Sequence, residues 1–135
     1  MLNGLPEPIP DLDTQPFWDG CKERRFLVPH CEVCDTPRWP PGPCCPNCQS
    51  QATKWLEAEP RGSVYSWIVV THSVHQATHN QVPYIAALVE LGSGIRVIGN
   101  IVECDPADMA AGMPVDLIFE QTESGAFLPN FRPST

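Results

Sequence analysis

From residue 61 onward, apolar residues fall in short blocks separated by turn residues, and this grammar predicts strands at 64–70, 84–91, 95–101, 115–120 and 126–129. Gly92-Ser93-Gly94 joins the second block to the third as a tight hairpin. Residues 105–111 open with Asp105-Pro106 and are followed by Gly112, which predicts a short helix. Five strands with a helix between the third and fourth is the element order of an OB-fold barrel. Upstream the pattern changes. Thr14 as a cap and Pro16 in the first turn predict a short helix over 14–23, with Phe17, Trp18 and Cys21 packing on the next module or anchoring an interface. Pro6, Pro8 and Pro10 with Asp11 and Asp13 make the first fifteen residues an extended arm suited to wrapping a partner. The expected fold is mainly β: an arm and short helix over 1–25, a two-stranded ribbon over 26–60 and a five-stranded barrel over 61–135.

The cysteines explain how so short a ribbon could hold together. Cys31-Glu32-Val33-Cys34 and Cys45-Pro46-Asn47-Cys48 are two CxxC pairs with ten residues between them, flanked by strand patterns at 26–30 and 53–57. Each pair can set two thiolates on one turn, and Zn²⁺ accepts four sulfurs tetrahedrally at ~2.3 Å. The expected ligands are Cys31, Cys34, Cys45 and Cys48. Cys44 is a bystander, since pairing it with Cys48 would break the match to the first knuckle. Four sulfurs leave no open position for water, so the metal should hold the fold and take no part in chemistry. His30 precedes Cys31, but the shell is already full. Two readings compete: disulfides or ordinary buried cysteines, and an iron site of the electron-carrier kind.

At 135 residues the chain has room for one modest core plus a metal-stapled module. There is no apolar run of membrane-spanning length, and Met1–Pro6 lacks the basic and apolar regions of a signal peptide. With an odd seven cysteines as well, the expected compartment is the cytoplasm. The net charge of −8, and two basic residues against seven acidic ones from Val64 to the end, speak against nucleic acid as a partner. A nucleic-acid-binding ribbon and barrel is nonetheless the main alternative.

Together the residues resemble a known family, proteins that join an N-terminal helix and rubredoxin-like zinc ribbon to a C-terminal OB-fold and associate with thiolase-like enzymes. The resemblance covers nearly the whole chain. It is carried by Phe17-Trp18-Asp19-Gly20, the two knuckles, Trp39-Pro40-Pro41, Gly62-Ser63-Val64-Tyr65-Ser66-Trp67, Val82-Pro83-Tyr84, Asn100-Ile101-Val102 with Asp105-Pro106, and Gly112-Met113-Pro114-Val115. It implies a non-catalytic accessory subunit whose OB-fold faces a thiolase-superfamily partner and helps enclose an acyl-CoA route. The carbon–carbon bond chemistry would then lie in the partner, and the isolated chain would have no activity.

Other candidate chemistry is sparse. Cys21 and Cys104 lack a basic neighbour in sequence and read as small buried hydrophobes. Gly92-Ser93-Gly94 is a hairpin turn and no phosphate loop. His72, His75 and His79 lie in the long loop between the first two barrel strands, where OB-folds commonly contact ligands. Their spacing could line one face of a helical turn, as in metal sites, or belong to a polar surface loop. The reading adopted is a loop that touches the partner or the passing acyl-CoA.

Overall fold

The computed structural model describes residues 4–135. Among them the order is α1 (Gln15–Lys22), β1 (Leu27–Cys31), β2 (Thr53–Glu57), β3 (Arg61–Val70), β4 (Tyr84–Leu91), β5 (Arg96–Ile101), β6 (Pro114–Gln121) and β7 (Phe127–Pro133). Single 3-10 turns lie at Gln76–Thr78 and Pro106–Asp108. β1 and β2 form an antiparallel pair with Leu27 opposite Glu57 and Cys31 opposite Thr53. The other five strands close a barrel in the order β3-β4-β5-β7-β6. β3 closes on β6 through Gly62 opposite Val115, and β5 meets β7 in parallel at Ile101 and Phe131.

The barrel follows from alternation. β4 buries Ile85, Ala87, Val89 and Leu91, and β5 buries Val97, Gly99 and Ile101, one face of each strand as a period of two requires. Val64, Val115 and Phe131 fill the same interior. Gly99 is what admits Phe131: a Cβ at position 99 would lie 2.9 Å from its ring. Each such aliphatic side chain contributes about 1.5–3 kcal/mol by burial.

The helix ties the ribbon to the barrel. Phe17 stands edge-on to Trp18, Trp39 and Phe26, with ring centroids 4.9, 5.0 and 5.2 Å apart. Aromatic pairs favour this arrangement because a positive ring edge meets a negative face. Gly20 lets the helix approach β1, since a Cβ there would meet Leu27 Cγ at 2.8 Å and the Arg25 carbonyl at 2.9 Å. Beyond the helix end, the Arg24 guanidinium lies 4.8 Å from the centroid of the Phe127 ring at the start of β7. One apolar cluster therefore runs from Phe17, Cys21, Phe26 and Val28 into the barrel interior.

Several sequence expectations are corrected. Residues 105–111 do not form a helix. They make one 3-10 turn, with Asp105 accepting from the Ala107 amide at 2.9 Å, and Met109 is already extended. The reason is long-range: the Gly112 amide donates to Val64 O at 2.7 Å and the Val64 amide to Met113 O at 3.0 Å, so pairing with β3 holds the backbone where a helix would continue. The last strand does not end at Pro129 but runs to Pro133, because its whole length pairs with β6. The Thr14 hydroxyl does not cap α1 and instead donates to Asp11 Oδ1 at 3.0 Å. The arm folds back on its own chain: Glu7 accepts from Thr122 Oγ1 at 2.8 Å and from the Ser124 amide at 3.4 Å. The arm's first three residues lie outside the described ones.

Candidate metal centre

Cys31 ends β1, and the chain turns back on itself at once. The Asp35 amide donates to Cys31 O at 3.0 Å, the Cys31 amide donates to Thr36 O at 3.0 Å, and Asp35 takes a left-handed φ of 61°. The second knuckle repeats this geometry. The Gln49 amide donates to Cys45 O at 2.9 Å, the Cys45 amide to Ser50 O at 2.8 Å, and Gln49 has φ 63°. Neither left-handed residue is glycine; in each knuckle paired backbone bonds fix the turn.

The amides inside each turn point at sulfur. Val33 and Cys34 donate to Cys31 Sγ at 3.4 and 3.5 Å, and Asn47 donates to Cys45 Sγ at 3.3 Å. Such donors stabilise a thiolate over a thiol. Across the knuckles, Cys31 Sγ lies 3.5 Å from Cys48 Sγ, and Cys34 Sγ lies 3.5 Å from Cys45 Sγ. All four sulfurs fall within 4.8 Å of one another, the one group of three or more metal-type ligands so gathered among the described residues. All seven cysteines are free thiols, so the disulfide alternative does not hold here.

The donor set fits a soft-to-borderline dication. Four sulfurs at this spacing surround a point that no protein atom needs to fill, and Zn²⁺ or a similar thiophilic ion takes such a shell. Without a cation the four compete for protons. Cys34 is pulled down to about 5, first by the Thr36 side chain 3.1 Å away and next by Asn47. Cys48 moves the other way: the Ser50 amide lowers it, but Cys31, burial, Cys34 and Cys45 together push it up to about 12. A dication at the centre removes that competition, because it favours the charged form of every sulfur.

The structure brings together Cys31, Cys34, Cys45 and Cys48 and leaves Cys44 outside the group. It does not gather the histidines. His72, His75 and His79 are exposed and form no ligand group among the described residues, and His75 Nδ1 accepts from the Ala77 amide at 3.0 Å. Cys21 is fully buried, and burial pushes its thiol up to about 12. Cys104 is half-buried, its thiol also raised by burial, with Asp108 and Asp105 adding to it. Neither is poised as a nucleophile.

Three residues around the site were assigned no role of their own in the sequence reading. Thr36 and Asn47 contact Cys34 Sγ, and Arg38 braces the ribbon by donating from Nη2 to Thr53 Oγ1 at 2.7 Å and to Gly42 O at 3.0 Å. A polar residue inside or just after a knuckle is a usable local signal for the first two. Nothing local flags Arg38, whose partner on β2 is fifteen positions away.

A two-knuckle ribbon leading into a closed five-stranded barrel defines the class. The family model for the ChsH2 rubredoxin-like zinc ribbon domain matches residues 18–53, and that for the ChsH2 C-terminal OB-fold domain matches residues 55–120. The chain belongs to this ChsH2 (DUF35) family of zinc-ribbon and OB-fold proteins. It is similar to the "Probable enoyl-CoA hydratase alpha subunit" of Thermomonospora curvata, 40% identical over 129 residues, spanning 96% of this chain but 40% of that longer protein. It is 34% identical over 106 residues to a "DUF35 domain-containing scaffold protein" of Methanocaldococcus jannaschii, covering 77% of this chain and 74% of the relative. Among solved structures, a chain of the "Ltp2-ChsH2(DUF35) aldolase" superposes with a TM-score of 0.88 at 40% identity, over 96% of this chain and all of that one. Among the described residues, no helix is long and apolar enough to cross a membrane.

Proposed function

We propose that the chain is a non-catalytic accessory subunit of a thiolase-superfamily complex that makes or cleaves a carbon–carbon bond in an acyl-CoA substrate. Zn²⁺ held by Cys31, Cys34, Cys45 and Cys48 staples the ribbon, the OB-fold docks on the enzyme partner, and the interface helps form the acyl-CoA route. The observation that carries this reading is the match over 96% of the chain and the full length of a subunit of an aldolase complex. The scaffold name of the archaeal relative points the same way, and the hydratase relative's name supplies a CoA thioester context. That relative is more than twice as long as its matched part, so its hydratase activity is not carried over.

The site chemistry supports an accessory role. A closed four-sulfur shell offers no open coordination position, and the two thiols outside the ribbon that could act as nucleophiles are raised rather than activated. Zn²⁺, when bound, would supply structural cross-linking only. The loop between β3 and β4, with His72, His75 and His79 exposed, is the segment assigned to partner or acyl-CoA contact. Cytoplasmic location and the absence of a nucleic-acid partner belong to the same reading.

Native mass spectrometry of the chain purified with its associated proteins tests it. The expected species carries one zinc ion and a thiolase-like protein. A chain that takes zinc yet forms no complex with such a protein overturns the assignment, and a chain recovered with bound nucleic acid favours the alternative.

A further inference from the structure

A cleft of about 660 Å³ lies between the ribbon and the barrel, and the accessory-subunit reading gives it no role. Its walls include Arg38, Trp39, Gly42 and Cys44 on the ribbon side, and Gly94 in the turn before β5 with Arg96 at its start. The chain has twice as many acidic as basic residues, yet two arginines and no aspartate or glutamate line this cleft. That is a local inversion of the chain's charge.

Arg38 is 7% exposed. Its Nε and Nη2 donate to Gly42 O and its Nη2 also to Thr53 Oγ1, but Nη1 is buried without a partner. Among the described residues no carboxylate lies within ion-pair distance of it. A buried guanidinium with no counter-charge is strongly unfavourable unless something anionic comes near. The knuckle sulfurs are the alternative counter-charge, but Arg38 donates to none of them. Arg96 also lines the cleft, from the barrel side. It lies over the Tyr65 ring at 3.8 Å from the centroid, and its contact with Glu90 is 3.8 Å, too long for a hydrogen bond.

We infer that this cleft is an anion site that takes a phosphate of a small phosphate-bearing ligand between Arg38 and Arg96. On the accessory-subunit reading, on which the ligand's identity rests, that phosphate belongs to the nucleotide end of acyl-CoA. Guanidinium groups suit phosphate because their planar fork bonds two oxygens at once. The volume is that of a small-molecule site. A nucleic-acid backbone is a poor fit, since its further phosphates would meet an acidic surface.

Calorimetry on the zinc-loaded full chain tests the site, with adenosine 3′,5′-bisphosphate, coenzyme A, inorganic phosphate and adenosine as titrants. Both nucleotides should bind and adenosine should not, with a change in Trp39 fluorescence. Arg96→Gln, at an exposed side chain, should keep zinc and fold while weakening the bisphosphate at least about tenfold, the loss expected for a charge-assisted contact. No binding by any phosphate compound overturns the inference, as does equal binding by the variant or by adenosine. Inorganic phosphate binding as tightly as the bisphosphate overturns the nucleotide assignment, and an oligonucleotide binding more tightly overturns the small-ligand one. Capture of the thiolase-like partner by the unaltered chain reads the accessory role separately: capture without phosphate binding to that chain removes the cleft site and leaves that role intact.

Discussion

The ribbon and the barrel are both small β structures, but the barrel is closed on itself and the ribbon is two strands with open edges. Each barrel strand pairs on two sides, and β4 alone buries four apolar side chains. β2 buries none, and of β1 only Val28, Pro29 and Cys31 are buried. A two-stranded pair of that size is marginal in water. The difference separates what apolar burial can hold from what, on the proposed zinc-ribbon reading, a metal must hold. The two are nonetheless joined, because Phe26 and Val28 at the base of the ribbon belong to the same apolar cluster as the barrel.

The sharpest way to break the comparison is to remove one ligand that does no packing. Cys48 is exposed, so Cys48→Ser leaves the core untouched and isolates the metal. Structural zinc supplies on the order of 10 kcal/mol of folding free energy in such sites. The variant should lose zinc, and residues 31–53 should lose hydrogen-exchange protection while the barrel amides keep theirs. Retention of full zinc content would refute the ligand assignment, and loss of protection throughout would show that the barrel depends on the metal. The reverse experiment is Phe131→Ala. It empties the barrel interior opposite Gly99 and should cost about 3–5 kcal/mol in urea unfolding with zinc content unchanged.

A smaller effect sharpens the metal side. Thr36 lowers the Cys34 thiol by bonding its sulfur, so Thr36→Val should raise it. Because zinc binds the thiolate, a raised thiol releases metal at higher pH. The expected outcome in competition with a chelator is about tenfold weaker zinc affinity at neutral pH, within the range for partners of a metal ligand. An unchanged release profile would remove Thr36 from the site.

How much of this was readable in the sequence depends on the range of the interactions. The knuckles were legible because their geometry is local: each turn is closed by backbone bonds between residues no more than five apart. The alternation of β4 and β5 was legible for the same reason. The stretch 105–111 was misread because Asp105-Pro106 is a true capping signal, while the bonds from Gly112 and Val64 that stop the helix come from another strand. Pro129 misled in a similar way, since the pairing that carries β7 past it is set by β6. Arg38 sits between these cases: its charge is obvious in the sequence, but its burial and its tie to Thr53 exist only once the ribbon closes.

The smallest expected effect concerns the arm, which joins neither the ribbon nor the barrel sheet. Glu7 lies below its ordinary value of 4.5, chiefly because the Thr122 hydroxyl donates to its carboxylate. A carboxyl held low in the folded chain stabilises it at pH values above the ordinary value, and that contribution is lost as pH falls through the folded one. Glu7→Gln should therefore leave stability near neutral pH only slightly lower and make its decline below about pH 4.5 shallower. Thr122 is 1% exposed and keeps Ser124 as a neighbour in the variant, so the hairpin between β6 and β7 should hold its shape. If the acid limb of the stability curve does not change, the arm's contact contributes nothing to folding, and the arm is available to wrap a partner as the proline pattern first suggested.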